Sequence, residues 1–125
     1  MTRFAILHHT EWPGHPDHFD LMLQLREAAD DNEATLLNYA SVLNEFPAPG
    51  SLFSLGSPHR QIYLRFEGEV SQQRGRVKRV DEGACAILDA TDTSNVLKVE
   101  LTGQRLRGIF NVRLTDDFVY ILERV

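Results

Sequence analysis

Cysteine is almost missing from this chain: Cys85 is the one copy in 125 residues. That excludes an internal disulfide framework. Cys85 lies in Gly83-Ala84-Cys85-Ala86-Ile87-Leu88, a setting that suits a small buried residue better than a nucleophile. Long apolar runs are missing too. No stretch approaches the ~20 residues that a membrane-spanning helix needs. Phe4-Ala5-Ile6-Leu7 is too short for a signal-peptide core, and nothing resembling a cleavage site follows it. A cytoplasmic protein without membrane contact is therefore expected. No segment carries a long 3.6-residue repeat, which argues against a helical fold. Internal repeats and low-complexity tracts are also absent.

Positive charge is in deficit. The net charge is -5 at pH 7, which argues against non-specific binding to long nucleic acid. Lysine is scarce, contributing two of the thirteen basic residues. The basic residues gather between positions 60 and 79, where Arg60, Arg65, Arg74, Arg76, Lys78 and Arg79 face only Glu67 and Glu69. Arginine suits two-pronged recognition of phosphate or carboxylate. The plainer account is a solvated strand face paired with neighbouring acids.

What the chain does have is short alternating segments. Arg3 to His8 and His18 to Arg26 read as strands, with a histidine-rich loop between them. Glu27 to Glu33 reads as an exposed loop, and Thr35 to Leu43 as strand or short helix. Phe46-Pro47-Ala48-Pro49-Gly50 breaks regular structure. Gln61 to Val70 and Arg76 to Val80 alternate. Asp81-Glu82-Gly83 reads as a hairpin turn into Ala84 to Asp89. Thr91 to Asn95 reads as a polar loop. Val96 to Leu101, Gly108 to Leu114 and Phe118 to Leu122 complete the strands, with turns at Thr102-Gly103-Gln104 and Thr115-Asp116-Asp117. The length suits one domain with a real core. The fold class expected is all-β and mainly antiparallel: a closed or nearly closed barrel over residues 1–125, with at most one or two short helices.

Four of the five histidines fall near the start: His8, His9, His15 and His18, followed by Asp20. In a strand, residues two apart share a face, so His18 and Asp20 project together. A third ligand from a neighbouring strand, most simply His9, would complete a set of two imidazoles and one carboxylate for a divalent cation. His8 and His15 are the other candidates for that place. The interleaved Trp12, Pro13, Gly14 and Pro16 distinguish the cluster from a tag.

These segments together resemble the 3′-phosphoesterase domain of bacterial DNA ligase D over nearly the whole chain. Phe4-Ala5-Ile6-Leu7-His8-His9 is similar to the family's first strand, which ends in a ligand histidine. His18-Phe19-Asp20-Leu21-Met22-Leu23-Gln24-Leu25 resembles its His-Tyr-Asp-Leu-Arg-Leu-Glu-Leu strand. His59-Arg60-Gln61-Ile62-Tyr63 keeps a His-x-x-x-Tyr spacing and leads to Phe66-Glu67-Gly68. Gly75-Arg76-Val77 to Asp81-Glu82-Gly83, then Leu97 to Leu101, Gly103 and Leu106-Arg107-Gly108, resemble the later strands.

The resemblance implies a compact β-barrel that binds a divalent cation, manganese in the first place, with zinc as an alternative. It implies trimming of 3′ ends of nucleic acid, in support of end-joining ligase and polymerase partners. Carried over by position, His9, His18 and Asp20 are the metal ligands, and His9 takes precedence over His8 and His15, which become loop residues. His59 and Tyr63 are the catalytic pair at the scissile phosphate.

The chain departs from the family pattern at Met22, where the family has arginine. The family's lysine after the third strand is missing near Tyr39-Ala40-Ser41-Val42. Ser57-Pro58 replaces an acidic pair, and the loop at Glu69 to Arg74 is short. Arg60, Arg65 and Arg74 are the candidates to replace the lost phosphate contacts. Two other functions compete: a non-catalytic metal- or phosphate-binding barrel, and a non-haem iron oxygenase using His18, Asp20 and His59.

Overall fold

The computed structural model describes residues 1–92 and 95–125. Its strands are β1 (Arg3–Thr10), β2 (His18–Gln24), β3 (Leu36–Ser41), β4 (Leu52–Leu55), β5 (Gly68–Glu69), β6 (Arg76–Asp92), β7 (Val96–Gly103), β8 (Arg107–Leu114) and β9 (Tyr120–Arg124). One 3-10 turn spans Gln61–Leu64. Eight strands follow each other in the order β1-β2-β3-β4-β9-β8-β7-β6, and β6 pairs back onto β1. Every pairing is antiparallel, so the chain forms the closed ring that its strand spacing predicts. Closure satisfies strand edges that would otherwise recruit other chains. β5 lies outside the ring, paired to the start of β6. Among the described residues no helix is long and apolar enough to cross a membrane.

Alternation in the strands creates two apolar layers. One lies inside the ring and draws on every ring strand, including Phe4, Leu21, Tyr39, Phe53, Cys85, Phe110 and Leu122. Each fully buried side chain of this size contributes about 1.5–3 kcal/mol. Burial pushes the Cys85 thiol up to about 12, so it stays protonated and inert, as its apolar setting predicts. The second layer is on the outer face of β1, β2 and β3. There Leu7, Met22 and Leu36 pack with Val70 and Val77 under Tyr63, Leu64 and Phe66.

That outer layer explains one departure from the sequence reading. Gln61 to Val70 alternates, yet it forms the 3-10 turn and the two-residue β5. After His59 meets Leu36 at the edge of β3, the chain lies across the outer face as an arm and pairs again only at Gly68–Glu69, beside the start of β6. Backbone bonds fix it: His59 and Leu36 exchange N–H···O bonds of 2.8 and 3.1 Å. Side chains fix it again. Gln24 Nε2 donates to Gln61 Oε1 at 2.6 Å, and Thr35 Oγ1 donates to the same oxygen at 3.1 Å.

Asp81-Glu82-Gly83 is not a turn. β6 runs without a break from Arg76 to Asp92, bending at a one-residue bulge where Ile6 pairs with Asp81 and Leu7 with Arg79. Asp81 is buried, and its carboxylate is occupied by backbone N–H groups of a different turn. Gly83 is needed for close approach, since a Cβ there would lie 2.0 Å from the Thr102 carbonyl oxygen. Its turn-like composition therefore reports strand crossing. Thr35 to Leu43 resolves as the strand β3, and β4 is an additional strand after the proline-rich break. The polar loop expected at Thr91 to Asn95 centres on residues 93–94, which lie outside the described residues.

Candidate metal centre

Strand period and register bring the ligand set together. β1 and β2 pair with His9 opposite His18 and Leu7 opposite Asp20. In that register His9, His18 and Asp20 all project from the outer face, away from the lumen side chains of Phe4, Ile6, Leu21 and Leu23. One ligand atom from each of the three lies within 4.8 Å of the other two. The site is thus on the wall of the ring and under the arm, not in the lumen.

The cavity there has a volume of about 270 Å³. His9, His18, Asp20, His59, Tyr63 and Arg74 all line it, with Met22, Asn38, Ala40, Val70 and Val77 as its floor and sides. His59 and Tyr63 come from the arm, their rings 5.7 Å apart and edge-on. Arg60 and Arg65 are not in the lining. Arg65 is ion-paired with Asp31, and Arg60 lies near Asn32 and the Tyr63 ring. His8 is not a loop residue. It sits on β1 in the other parity, stacked 4.2 Å from Phe19 and 2.8 Å from Asn44 Oδ1. His15 does lie in the loop, but it lines the cavity and stacks on Trp12 at 3.8 Å. Trp12 in turn stacks on His9 at 5.0 Å.

Hydrogen bonds set the tautomers. His9 Nε2–H donates to the Arg74 carbonyl at 2.5 Å, and His18 Nδ1–H donates to the Pro16 carbonyl at 3.0 Å. The lone pairs left over are on His9 Nδ1 and His18 Nε2. Those atoms stand 3.5 and 3.3 Å from the two oxygens of Asp20. Backbone carbonyls holding the far nitrogen of an imidazole are the usual support for a metal-binding histidine. Asp20 is 3% exposed, and its Oδ1 has no hydrogen-bond partner. Asn38 Oδ1, also on the cavity lining and 6% exposed, has none either. Acceptors facing acceptors in a buried site repel unless a cation or a proton stands between them. The donor set fits a divalent cation held by His9 Nδ1, His18 Nε2 and Asp20. Imidazole with carboxylate suits manganese, zinc and iron alike, so the ligands do not select the ion.

No family model matches the chain, and no curated protein matches it.

Electrostatics follow from the same contacts. The Asp20 carboxylate holds the His18 imidazole above its ordinary pKa, with burial opposing. Burial works against the charge on Asp20, but His18 and His9 outweigh it and hold the carboxyl below the ordinary range. In metal-free protein the His18 contribution to stability is present below about pH 6.5 and is lost as pH rises through its raised folded value. The Asp20 contribution is present above about pH 3.9 and is lost as pH falls through its lowered value. The metal-free Tm is therefore expected to fall as pH rises above about 6.5. Saturating Mn2+ should oppose that fall, because a cation needs the neutral imidazole. Thermal melts across this range, with Mn2+ and with chelator, check it. Parallel curves would rule the cation out of this site.

Asn38 and Trp12 are the site residues that the sequence reading missed. Asn38 pairs with Met22 across β2 and β3, which puts it on the outer face. Its signal was hidden because Thr35 to Leu43 fits strand and helix equally, and only a strand gives it that face. Trp12 could have been suspected as the single tryptophan inside the histidine cluster.

Proposed function

We propose that this protein is a divalent-metal-dependent phosphoesterase acting on terminal phosphate esters, with 3′ ends of nucleic acid as the substrate class. The observation that carries the reading is convergence. Three metal-type ligands from β1 and β2 share one small cavity with an imidazole and a phenol from the arm. The likeness of the sequence to the ligase D phosphoesterase domain supplies the reaction class.

A bound divalent cation supplies charge neutralisation at a phosphoryl oxygen. The other work falls to the arm. His59 Nδ1–H donates to the Ser57 carbonyl at 2.8 Å, which leaves Nε2 to hold or deliver a proton at the leaving oxygen. Tyr63 lines the same cavity, and its hydroxyl is the donor assigned in this reading to a non-bridging oxygen. Apolar side chains of Met22, Ala40, Val70 and Val77 line the same cavity and lower its polarity, which strengthens each of these contacts while leaving the open side for the attacking water. A volume of about 270 Å³ admits the end of a strand and no folded nucleic acid.

The test is turnover of a primer strand ending in one ribonucleotide or a 3′-phosphate, with Mn2+. Wild type should release product. His18→Ala and His59→Ala should each lower the rate by 100-fold or more, on the order expected for a lost ligand or proton donor. A second reading, metal binding without catalysis, is favoured by Met22, which fills with a thioether the face where the resembling family carries arginine. Tight Mn2+ binding with no turnover would select it.

A further inference from the structure

We infer that Arg74 is the specificity-determining residue for a phosphoryl oxygen of the ligand, and that its own main chain ties it to the metal centre. The inference rests on the phosphate-ester reading of the cavity and adds to it the residue that recognises the anion.

Among the described residues, Arg3, Arg26, Arg65, Arg76, Arg79 and Arg113 are ion-paired with carboxylates. Arg74 forms no ion pair among the described residues, and it lines the cavity that holds His9, His18 and Asp20. Its guanidinium is braced by a neutral partner. Nε donates to the Ser71 carbonyl at 2.9 Å and Nη2 to Ser71 Oγ at 3.1 Å. A guanidinium carries five N–H donors, so three remain for a ligand. The brace fixes the fork in advance, which lowers the entropy lost on binding.

The backbone of the same residue has a second task. The Arg74 carbonyl accepts the His9 Nε2–H bond at 2.5 Å. The turn achieves both because Gln72 and Gln73 sit in the left-handed region, with φ of 62° and 56°. Residues other than glycine seldom adopt that conformation. One residue thus orients a metal ligand through its carbonyl and belongs to the lining of the cavity, with its guanidinium held on Ser71.

Charge identifies the guest. With a divalent cation held by His9, His18 and Asp20, its charge and that of the Arg74 guanidinium would be set against a single lining carboxylate, Asp20. Donors from Tyr63 and His59 stand on the arm side of the same cavity. Such a set recognises an oxyanion, and a fork beside a metal suits a phosphoryl group.

The experiment uses Trp12 as the reporter. It is the only tryptophan and it stacks on His9. The full chain is titrated with Mn2+ alone, then, metal-saturated, with inorganic phosphate, with acetate and with a 3′-phosphorylated dinucleotide. Wild type should bind both phosphates and bind acetate at least tenfold more weakly. Arg74→Ala should leave the Mn2+ midpoint within threefold, because the carbonyl stays, and weaken both phosphates by at least tenfold. Arg74→Lys should restore part of that loss. Unchanged phosphate binding in Arg74→Ala would overturn the inference. So would loss of Mn2+ binding in that variant, since Arg74 would then only hold the turn. Equal binding of acetate would overturn the phosphoryl assignment. Arg74-dependent phosphate binding without turnover would defeat the catalytic reading and leave this inference standing. Turnover that survives Arg74→Ala at the wild-type KM would do the reverse, and wild type that binds no phosphate would defeat both.

Discussion

Asp20→Ala is expected to weaken Mn2+ binding by on the order of 100-fold or more, about 2.7 kcal/mol, while leaving the protein folded. Asp20 supplies the only negative charge of the ligand set, and the other two members are imidazoles. Without it, two uncharged nitrogens remain, and they have no anion to offset the cation in a buried site. Folding depends little on this residue. Its cross-strand neighbours on the outer face, Leu7 and Ala40, are apolar and accept an alanine between them, and its Oδ1 makes no hydrogen bond that alanine would forfeit. Calorimetric titration with Mn2+ and a urea melt on the same preparation separate the two effects. Binding retained within tenfold would mean that the cation sits elsewhere, with His15 the first alternative. A collapse of the melt would mean that the carboxylate is a structural group.

Asp81→Ala is expected to have the opposite signature: a large loss of stability with the metal site intact in whatever remains folded. The Asp81 carboxylate accepts N–H bonds from Glu82, Gln104, Arg105 and Leu106 at 2.8 to 3.2 Å. Three of these donors belong to the turn between β7 and β8. Removing the carboxylate strands them, at a cost of about 3–5 kcal/mol. That is a large share of the roughly 5–15 kcal/mol that holds a domain of this kind together. Asp81→Asn keeps one acceptor oxygen and should lose about half as much. Gly103→Ala should also destabilise, because the new Cβ would lie 2.5 Å from Asp81 Oδ2. Urea midpoints for the three variants give the order. A midpoint for Asp81→Ala within about 0.5 kcal/mol of wild type would show that water satisfies the turn as well as the carboxylate does.

The parts of the fold legible in the sequence are those where period and burial agree. The two-residue period of a strand is enough to give His18 and Asp20 a shared face, and pairing to β1 then selects His9 over His8. The rest was hidden for identifiable reasons. Asp81-Glu82-Gly83 has the composition of a turn, but its acid serves a turn over twenty residues away and its glycine serves a strand crossing. Local propensity does not see such partners. Gln61 to Val70 has the alternation of a strand, but it packs across the outer face and only Gly68–Glu69 reaches an edge, that of β6. His15 looked like a bystander because loops carry no register; stacking on Trp12 is what carries it back over the cavity. Among Arg60, Arg65 and Arg74, only the three-dimensional path of the arm distinguishes the one that lines the site.

The two faces of β1 and β2 divide their residues by parity. Phe4, Ile6, Leu21 and Leu23 fill the lumen, whereas His9, His18 and Asp20 meet the arm. A saturation library over these strands should therefore split into two phenotypes that scarcely overlap. Lumen positions would fail by poor yield, and arm-side positions would fail by lost ligand at normal yield. The same wall can be retuned for another ion or another guest from one side, and the interior need not be redesigned to follow.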